Sequence, residues 1–243
     1  MTAGNLKQVG PYQIVERIGR GGMAAVYRAY QPSLDRQVAI KVMTPQFLEE
    51  PAALERFRRE ARAIAKLNHP NILQVYDFGQ DGDYLYIVSQ LIEGGTLHQR
   101  LGQPVDLRFA VHIMKQLANA LDYAHEHGIV HRDVKPRNVL MDRGDSAILS
   151  DFGIVKLTEG GAGLTGTGLV VGTPDYMSPE QVMNEPLDGR SDLYSLAVVL
   201  YEMVTGILPF RADTPVAVIM GHLQRNIPDP TMHNASLPSL TKW

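Results

Sequence analysis

"IGRGGMAAVYRAY", residues Ile18 to Tyr30, sets three small residues, Gly19, Gly21 and Ala24, at the spacing of a loop that cradles phosphate groups. The element after the loop decides the fold. A dinucleotide-binding loop of this kind opens a helix, whereas here the next run is "AVYRAY", which is β-type. The glycines therefore lie between two strands, and taken alone such a hairpin is more often a turn than a phosphate site.

Outward from that hairpin, short β-type runs alternate with turns: Tyr12 to Ile18, Ala25 to Tyr30, Gln37 to Val42, Ile72 to Phe78 and Tyr84 to Val88. They predict a sheet of about five strands. One helix interrupts them, opening at Pro51 and carrying Leu54, Phe57, Ala61, Ile64 and Leu67 on one face, with Glu60 at its edge. The texture changes at "IEGGTL", Ile92 to Leu97, so the chain divides into 11–91 and 92–243. Beyond it, Leu107, Ala110, Val111, Met114, Leu117, Ala118 and Leu121 predict a helix that stops at Gly128. A second helix, Ser191 to Thr205, is apolar on nearly every face and belongs in the middle of a domain.

Composition narrows the function classes. The chain has 243 residues, 44% apolar, with a net charge of −3 and no cysteine, which excludes disulfides and thiolate metal sites. Nothing global points to nucleic acid, and the basic run "RFRREAR", Arg56 to Arg62, reads as the solvated face of a helix. No apolar run approaches a membrane span and "MTAGNLKQVG" lacks a signal-peptide core, so a cytoplasmic protein with no membrane segment is expected. In "HEHGIVH", His125 and His127 are two apart and point away from each other on a helix, which argues against a metal site.

The glycine loop gains meaning from its company: "VAIK" (Val38 to Lys41), Glu60, "HRDVKPRN" (His131 to Asn138), "DFG" (Asp151 to Gly153) and "SPE" (Ser178 to Glu180), in that order. With this set the chain resembles the bacterial eukaryotic-like serine/threonine protein kinases, from Pro11 to the C-terminus. The resemblance implies an α+β, two-lobed protein kinase fold, with a small antiparallel sheet lobe bearing one key helix and a larger, mainly helical lobe. It implies ATP with Mg²⁺, or Mn²⁺ in its place, and transfer of the γ-phosphate to serine and threonine hydroxyls of proteins.

Phosphoryl transfer asks mainly for positioning and charge neutralisation, and the matched residues suit those needs. Lys41 reaches the α and β phosphates while Glu60 holds its ammonium; Asn138 and Asp151 offer hard oxygens to Mg²⁺. Asp133 receives or orients the acceptor hydroxyl's proton, Lys135 faces the γ-phosphate, and Thr173 bridges the two. The resemblance further implies a loop of Gly19, Arg20, Gly21 and Gly22 over the phosphates. A purine pocket would be lined by Ile18, Val26, Ala39 and Leu140, with backbone groups from Gln90 to Ile92 pairing with adenine. Ile64, Val75, His131 and Phe152 would stack in a column joining the lobes, with Asp192 anchoring the catalytic loop and His131 structural. Autophosphorylation is expected at Thr165 or Thr167, the phosphate pairing with Arg132 and Lys156, through self-association of two copies.

The sequence departs from the family pattern in four places. Ala24 and Ala197 stand where glycine is usual, and both are expected to be tolerated. Ser89 replaces a bulky residue behind the adenine pocket, so an open rear pocket sensitive to inhibitors with large substituents is expected. The chain ends at Trp243, where the family continues through further helices and an arginine that pairs with the residue equivalent to Glu180; a C-terminally short domain with a bared apolar patch is the corresponding expectation. A nucleotide-binding scaffold without catalysis is the alternative reading. Lys41, Glu60, Asp133, Asn138 and Asp151 are all present, which weighs against it.

Overall fold

The computed structural model describes residues 6–21, 24–43, 51–152 and 174–238, with the backbone alone at 51–53 and 56. They form two compact units, Met1–Glu93 and Gly94–Trp243.

The first unit is built on an antiparallel sheet of six strands, ordered β1-β2-β3-β4-β6-β5. They are β1 (Gln8–Val9), β2 (Tyr12–Arg20), β3 (Ala24–Gln31), β4 (Arg36–Met43), β5 (Val75–Asp81) and β6 (Tyr84–Ser89). Two-residue alternation sorts the side chains: Val38, Ile40 and Val42 of β4 join Tyr27, Ala29, Tyr86 and Val88 in a buried cluster on one face. Lys41, between Ile40 and Val42, is thereby turned to the other face. Two details correct the sequence expectation. The short β1 is an extra strand, because Val9 fills the same cluster, and β5 begins at Val75 rather than Ile72, which is buried but precedes the strand. Helix α1 (Pro51–Ile64) lies between β4 and β5 in sequence and sets Phe57 edge-on to Phe78, ring centroids 6.5 Å apart.

The second unit is mainly helical: α2 (Leu107–Glu126), α3 (Pro179–Val182), α4 (Gly189–Thr205) and α5 (Pro215–Gln224), with one hairpin of β7 (Val139–Met141) and β8 (Ala147–Leu149). Asp106 caps α2 by accepting from Arg108 and Phe109 N–H at 2.9 and 3.2 Å. The buried stripe of α2 is Ala110, Ile113, Leu117, Ala120, Leu121 and Ala124, whereas Leu107, Val111 and Ala118, expected on that stripe, are exposed. The helix has apolar residues over more than one face, and it packs against α4 and β8. α4 is buried around most of its circumference, with Leu193 and Ala197 exposed along one line. It stops at Gly206, φ +76°, where a Cβ would lie 2.9 Å from the Gln103 backbone. No described helix is long and apolar enough to cross a membrane.

Candidate active site

In the first unit, strand register collects the predicted nucleotide residues. Gly19 pairs with Val26, Val26 with Lys41 and Lys41 with Ile87, one row across four strands; Ala39 pairs with Ser89 in a neighbouring row. Lys41 and Val26 are half-buried, Ala39 and Ser89 are buried, and Ile18 and Arg20 are exposed at the end of β2. Glu60 stands half-buried on α1. Gly21 N–H donates to Ala24 C=O at 2.8 Å, so the alanine closes the hairpin through its backbone and its methyl leaves that bond intact. Among the described residues, a Cβ at Gly19 would approach Val26 no closer than 3.5 Å, and one at Gly21 would meet the Ala24 carbonyl at 3.6 Å. Packing among the described residues thus makes no demand for glycine at either position. Glycines there leave the backbone open to close approach, which a phosphate would need. The Gln90 N–H is engaged by the Gln74 carbonyl at 3.0 Å and the Gln90 carbonyl accepts from Ser89 Oγ at 3.4 Å; Ile92 is half-buried.

In the second unit, one turn and one hairpin assemble the rest. Asp133, Lys135 and Asn138 belong to a loop that closes in a 3₁₀ turn, Pro136–Asn138, running directly into β7. Pairing of Val139 with Leu149 brings the ends of the hairpin together, and Ser150 N–H and Oγ both donate to the Asn138 carbonyl, at 2.8 and 2.9 Å. Asp151 is the next residue, in the left-handed region at φ +59°, followed by buried Phe152. The same oxygen of Asp133, Oδ2, accepts from Lys135 Nζ at 2.8 Å and Asn138 Nδ2 at 2.9 Å, and Asn138 Nδ2 also reaches the Asp133 carbonyl. With its NH₂ so engaged, Asn138 turns its amide oxygen to the other side. Leu140 is half-buried in β7 and bridges to Thr96.

This donor set fits a cation carried on phosphates. Mg²⁺ in such sites takes one or two protein oxygens and completes its octahedron with phosphate and water. Asn138 and Asp151 are a set of that number and hardness.

The loop is held from beneath by buried groups. Asp192 of α4, 1% exposed, accepts the His131 and Arg132 N–H groups on its two oxygens, both at 2.7 Å. His131 is fully buried against Phe152, with ring centroids 4.5 Å apart. Its Nδ1 accepts from Asp133 N–H at 3.1 Å and its Nε2 meets the Ser150 carbonyl at 2.9 Å, so the proton is on Nε2. Burial pushes its pKa down and keeps the ring neutral, a part suited to support. Further along, Tyr176 Oη donates to the buried Glu202 at 2.6 Å and its carbonyl accepts from Ser195 Oγ, tying the 174–176 turn to α4. Glu180 accepts from Ser191 Oγ at 2.5 Å. Gly22, Lys156, Thr165, Thr167 and Thr173 lie outside the described residues.

Two supporting residues escaped the sequence reading. Gln181 donates to the Arg132 carbonyl, and His125 Nε2 lies 2.8 Å from Asp192 Oδ2. His125 packs so closely on Gly189 that a Cβ there would sit 2.6 Å from its ring. His127 instead turns to the Tyr123 carbonyl. The bond to Asp192 raises the His125 pKa above its ordinary 6.5, burial opposes this, and the Asp192, Asp122 and Asp188 charges add to the rise. A raised folded-state pKa gives stability that is complete below the unfolded value and fades as pH climbs through the folded one. The stability difference between the native chain and His125→Gln is therefore expected to be larger at about pH 6 than at about pH 8.5. Urea titrations of both proteins measure it; a difference independent of pH would contradict the assignment.

Comparison with known proteins closes the question of kinship. Residues 12–239 match the family described as "Protein kinase domain". The serine/threonine-protein kinase pkn3 of Myxococcus xanthus is 43% identical, over 90% of this chain and 42% of that protein. For PksC of Streptomyces coelicolor the figures are 44% identity, 97% and 44%, and for PrkC of Bacillus subtilis 40%, 94% and 36%. The chain thus spans less than half the length of these relatives. The crystal structure of the Mycobacterium tuberculosis PknI kinase domain superposes with a TM-score of 0.76 at 27% identity, covering 96% of this chain and 86% of that one. With the family pattern matched across nearly all of its length and this fold shared, the chain belongs to the protein kinase domain family.

Proposed function

We propose that this chain is the catalytic part of a serine/threonine protein kinase, moving the γ-phosphate of ATP to serine and threonine hydroxyls of protein substrates. The observation that carries the reading is the convergence of Lys135 and Asn138 on one carboxylate oxygen of Asp133, at 2.8 and 2.9 Å. It holds a base in one orientation and puts a cation beside it, as phosphoryl transfer requires.

In this reading residues 11–91 bind the nucleotide and 92–243 carry the acceptor chemistry. Ile18, Val26, Ala39 and Leu140 enclose the purine, Gln90 and Ile92 offer it backbone groups, and Gly19, Arg20, Gly21 and Gly22 cover the phosphates. Lys41 neutralises phosphate charge and Glu60 holds it in place. Asp133 orients the acceptor hydroxyl and takes its proton as the oxygen bonds to the γ-phosphorus and the bridging P–O bond to ADP breaks, while Lys135 neutralises charge on the phosphoryl oxygens. Mg²⁺ or Mn²⁺, held by Asn138 and Asp151, would supply further charge neutralisation on the phosphates. Thr173, by the resemblance, would bridge Asp133 and Lys135.

Serine and threonine selectivity rests on Lys135 in "HRDVKPRN" and on "GTPDYMSPE", and the names of the relatives support it. The test is phosphoamino-acid analysis of mixed protein substrates labelled from γ-³²P ATP. Label on serine and threonine is expected; label confined to tyrosine would overturn the assignment. Thr165 or Thr167 is the proposed autophosphorylation site, modified by a second copy and paired with Arg132. Mass spectrometry after incubation with ATP is expected to find phosphate on at least one of them, and its absence from both in protein that phosphorylates other substrates would refute the site.

A further inference from the structure

Arg132 is held in a conformation that a residue with a Cβ disfavours, φ +67°, and it is the residue that aims Asp133. Its N–H is held by Asp192 of α4 at 2.7 Å. Its carbonyl is held by Nε2 of Gln181, from α3, also at 2.7 Å. The peptide joining Arg132 to Asp133 is therefore fixed at both ends, since its N–H donates to His131 Nδ1 at 3.1 Å. The rotation of that peptide sets where the Asp133 carboxylate points.

Gln181 is 3% exposed, and both the oxygen and the nitrogen of its side-chain amide are engaged. Its Oε1 accepts from Ser178 N–H at 3.0 Å while its own N–H donates to Ser178 Oγ at 3.4 Å, the reciprocal cap of α3. Glutamate would serve that cap equally well. What a glutamate carboxylate lacks is the donor on the far side, and the Arg132 carbonyl takes a donor. The amide's orientation is set by its neighbours: one end faces an N–H and the other a C=O. The cap accounts for half of the side chain and leaves the other half to the loop.

We propose that Gln181 is a positioning residue for phosphoryl transfer, acting through the Arg132 carbonyl to hold the Asp133 carboxylate on line. The inference rests on the reading of Asp133 as the group that receives the hydroxyl proton. Gln181→Glu keeps the cap and the volume but sets an oxygen against the Arg132 carbonyl, which it can satisfy only when protonated. Gln181→Met removes both bonds at any pH. Ser178→Ala weakens the cap and leaves the Arg132 contact untouched.

The experiment measures kcat and the KM for Mg-ATP from pH 6 to pH 8, each variant expressed as a ratio to the native chain at the same pH, with native folding checked by near-ultraviolet circular dichroism. Gln181→Glu is expected to lose about tenfold in kcat at neutral pH with KM within about twofold, and to recover toward the native value as pH falls. Gln181→Met is expected to show the same loss without recovery, and Ser178→Ala to stay within about twofold. A Gln181→Glu ratio near one at neutral pH overturns the proposal, as does a loss shared equally by Ser178→Ala, which would mark a role in the cap alone. Asp133→Asn is run beside them. Full activity there removes the parent reading and this inference together, whereas an inactive Asp133→Asn beside a native-like Gln181→Glu removes the inference alone.

Discussion

Asp133→Asn is expected to lower the rate of γ-phosphate transfer by about 10² to 10⁴-fold, the usual contribution of a positioned general base. The substitution changes one atom and removes the negative charge. Asparagine keeps a carbonyl oxygen with which to accept from Lys135 and from Asn138, now 2.8 and 2.9 Å from the carboxylate, so the loop has a means of retaining its shape. What is lost is the capacity to take a proton and the charge that balances Lys135. The carboxylate's side chain is 18% exposed, which gives an acceptor hydroxyl access. Initial rates at saturating Mg-ATP, on protein matched to the native chain in thermal midpoint, measure the effect. Equal rates would take Asp133 out of the chemistry.

Asp192→Ala is expected to have the largest effect on stability, about 3–5 kcal/mol, the range for breaking a buried, hydrogen-bonded charge. The carboxylate accepts from the His131 and Arg132 N–H groups and lies 2.8 Å from His125 Nε2, all beneath a surface that leaves it 1% exposed. Alanine leaves two backbone donors without acceptors, each at a cost of about 1–3 kcal/mol, and removes the support that keeps Arg132 at positive φ. Against a domain stability of about 5–15 kcal/mol, a loss of that size brings the chain close to unfolding at ambient temperature. Urea unfolding reads it as a lower midpoint at an unchanged slope. A change below about 1 kcal/mol would show that water replaces the carboxylate and that the loop needs no anchor.

The candidates for chemistry were legible in the sequence, and so, through the resemblance, were the supports Asp192 and His131, whereas Gln181 and His125 were not. Asp133, Asn138 and Asp151 stand in runs that no packing rule requires, and the short β7–β8 hairpin lies between the second and third of them. Nothing in the sequence singles out Gln181, and His125 enters only as a rejected metal ligand, because their partners are 49 and 67 residues away in sequence. No local pattern records such distances. Helix faces failed for a related reason. Leu107 and Val111 satisfy helical spacing as well as Ile113 and Ala120 do, and the stripe that is buried depends on how α2 meets its neighbours, which spacing within α2 does not encode. The faces of a strand, by contrast, follow directly from alternation: once Val38, Ile40 and Val42 are buried on one face, Lys41 must lie on the other. Ala24, the apparent flaw in the glycine loop, contributes its carbonyl to the hairpin, and any residue supplies that.

The most direct test of the whole account tracks ATP binding and γ-phosphate transfer in one preparation, with Mg²⁺ present and then removed by chelation. The account predicts that Mg-ATP raises the thermal midpoint and that phosphate accumulates on a protein acceptor only while the divalent ion is present. Binding without transfer to any protein acceptor would contradict it, and would leave a nucleotide-binding scaffold in place of an enzyme.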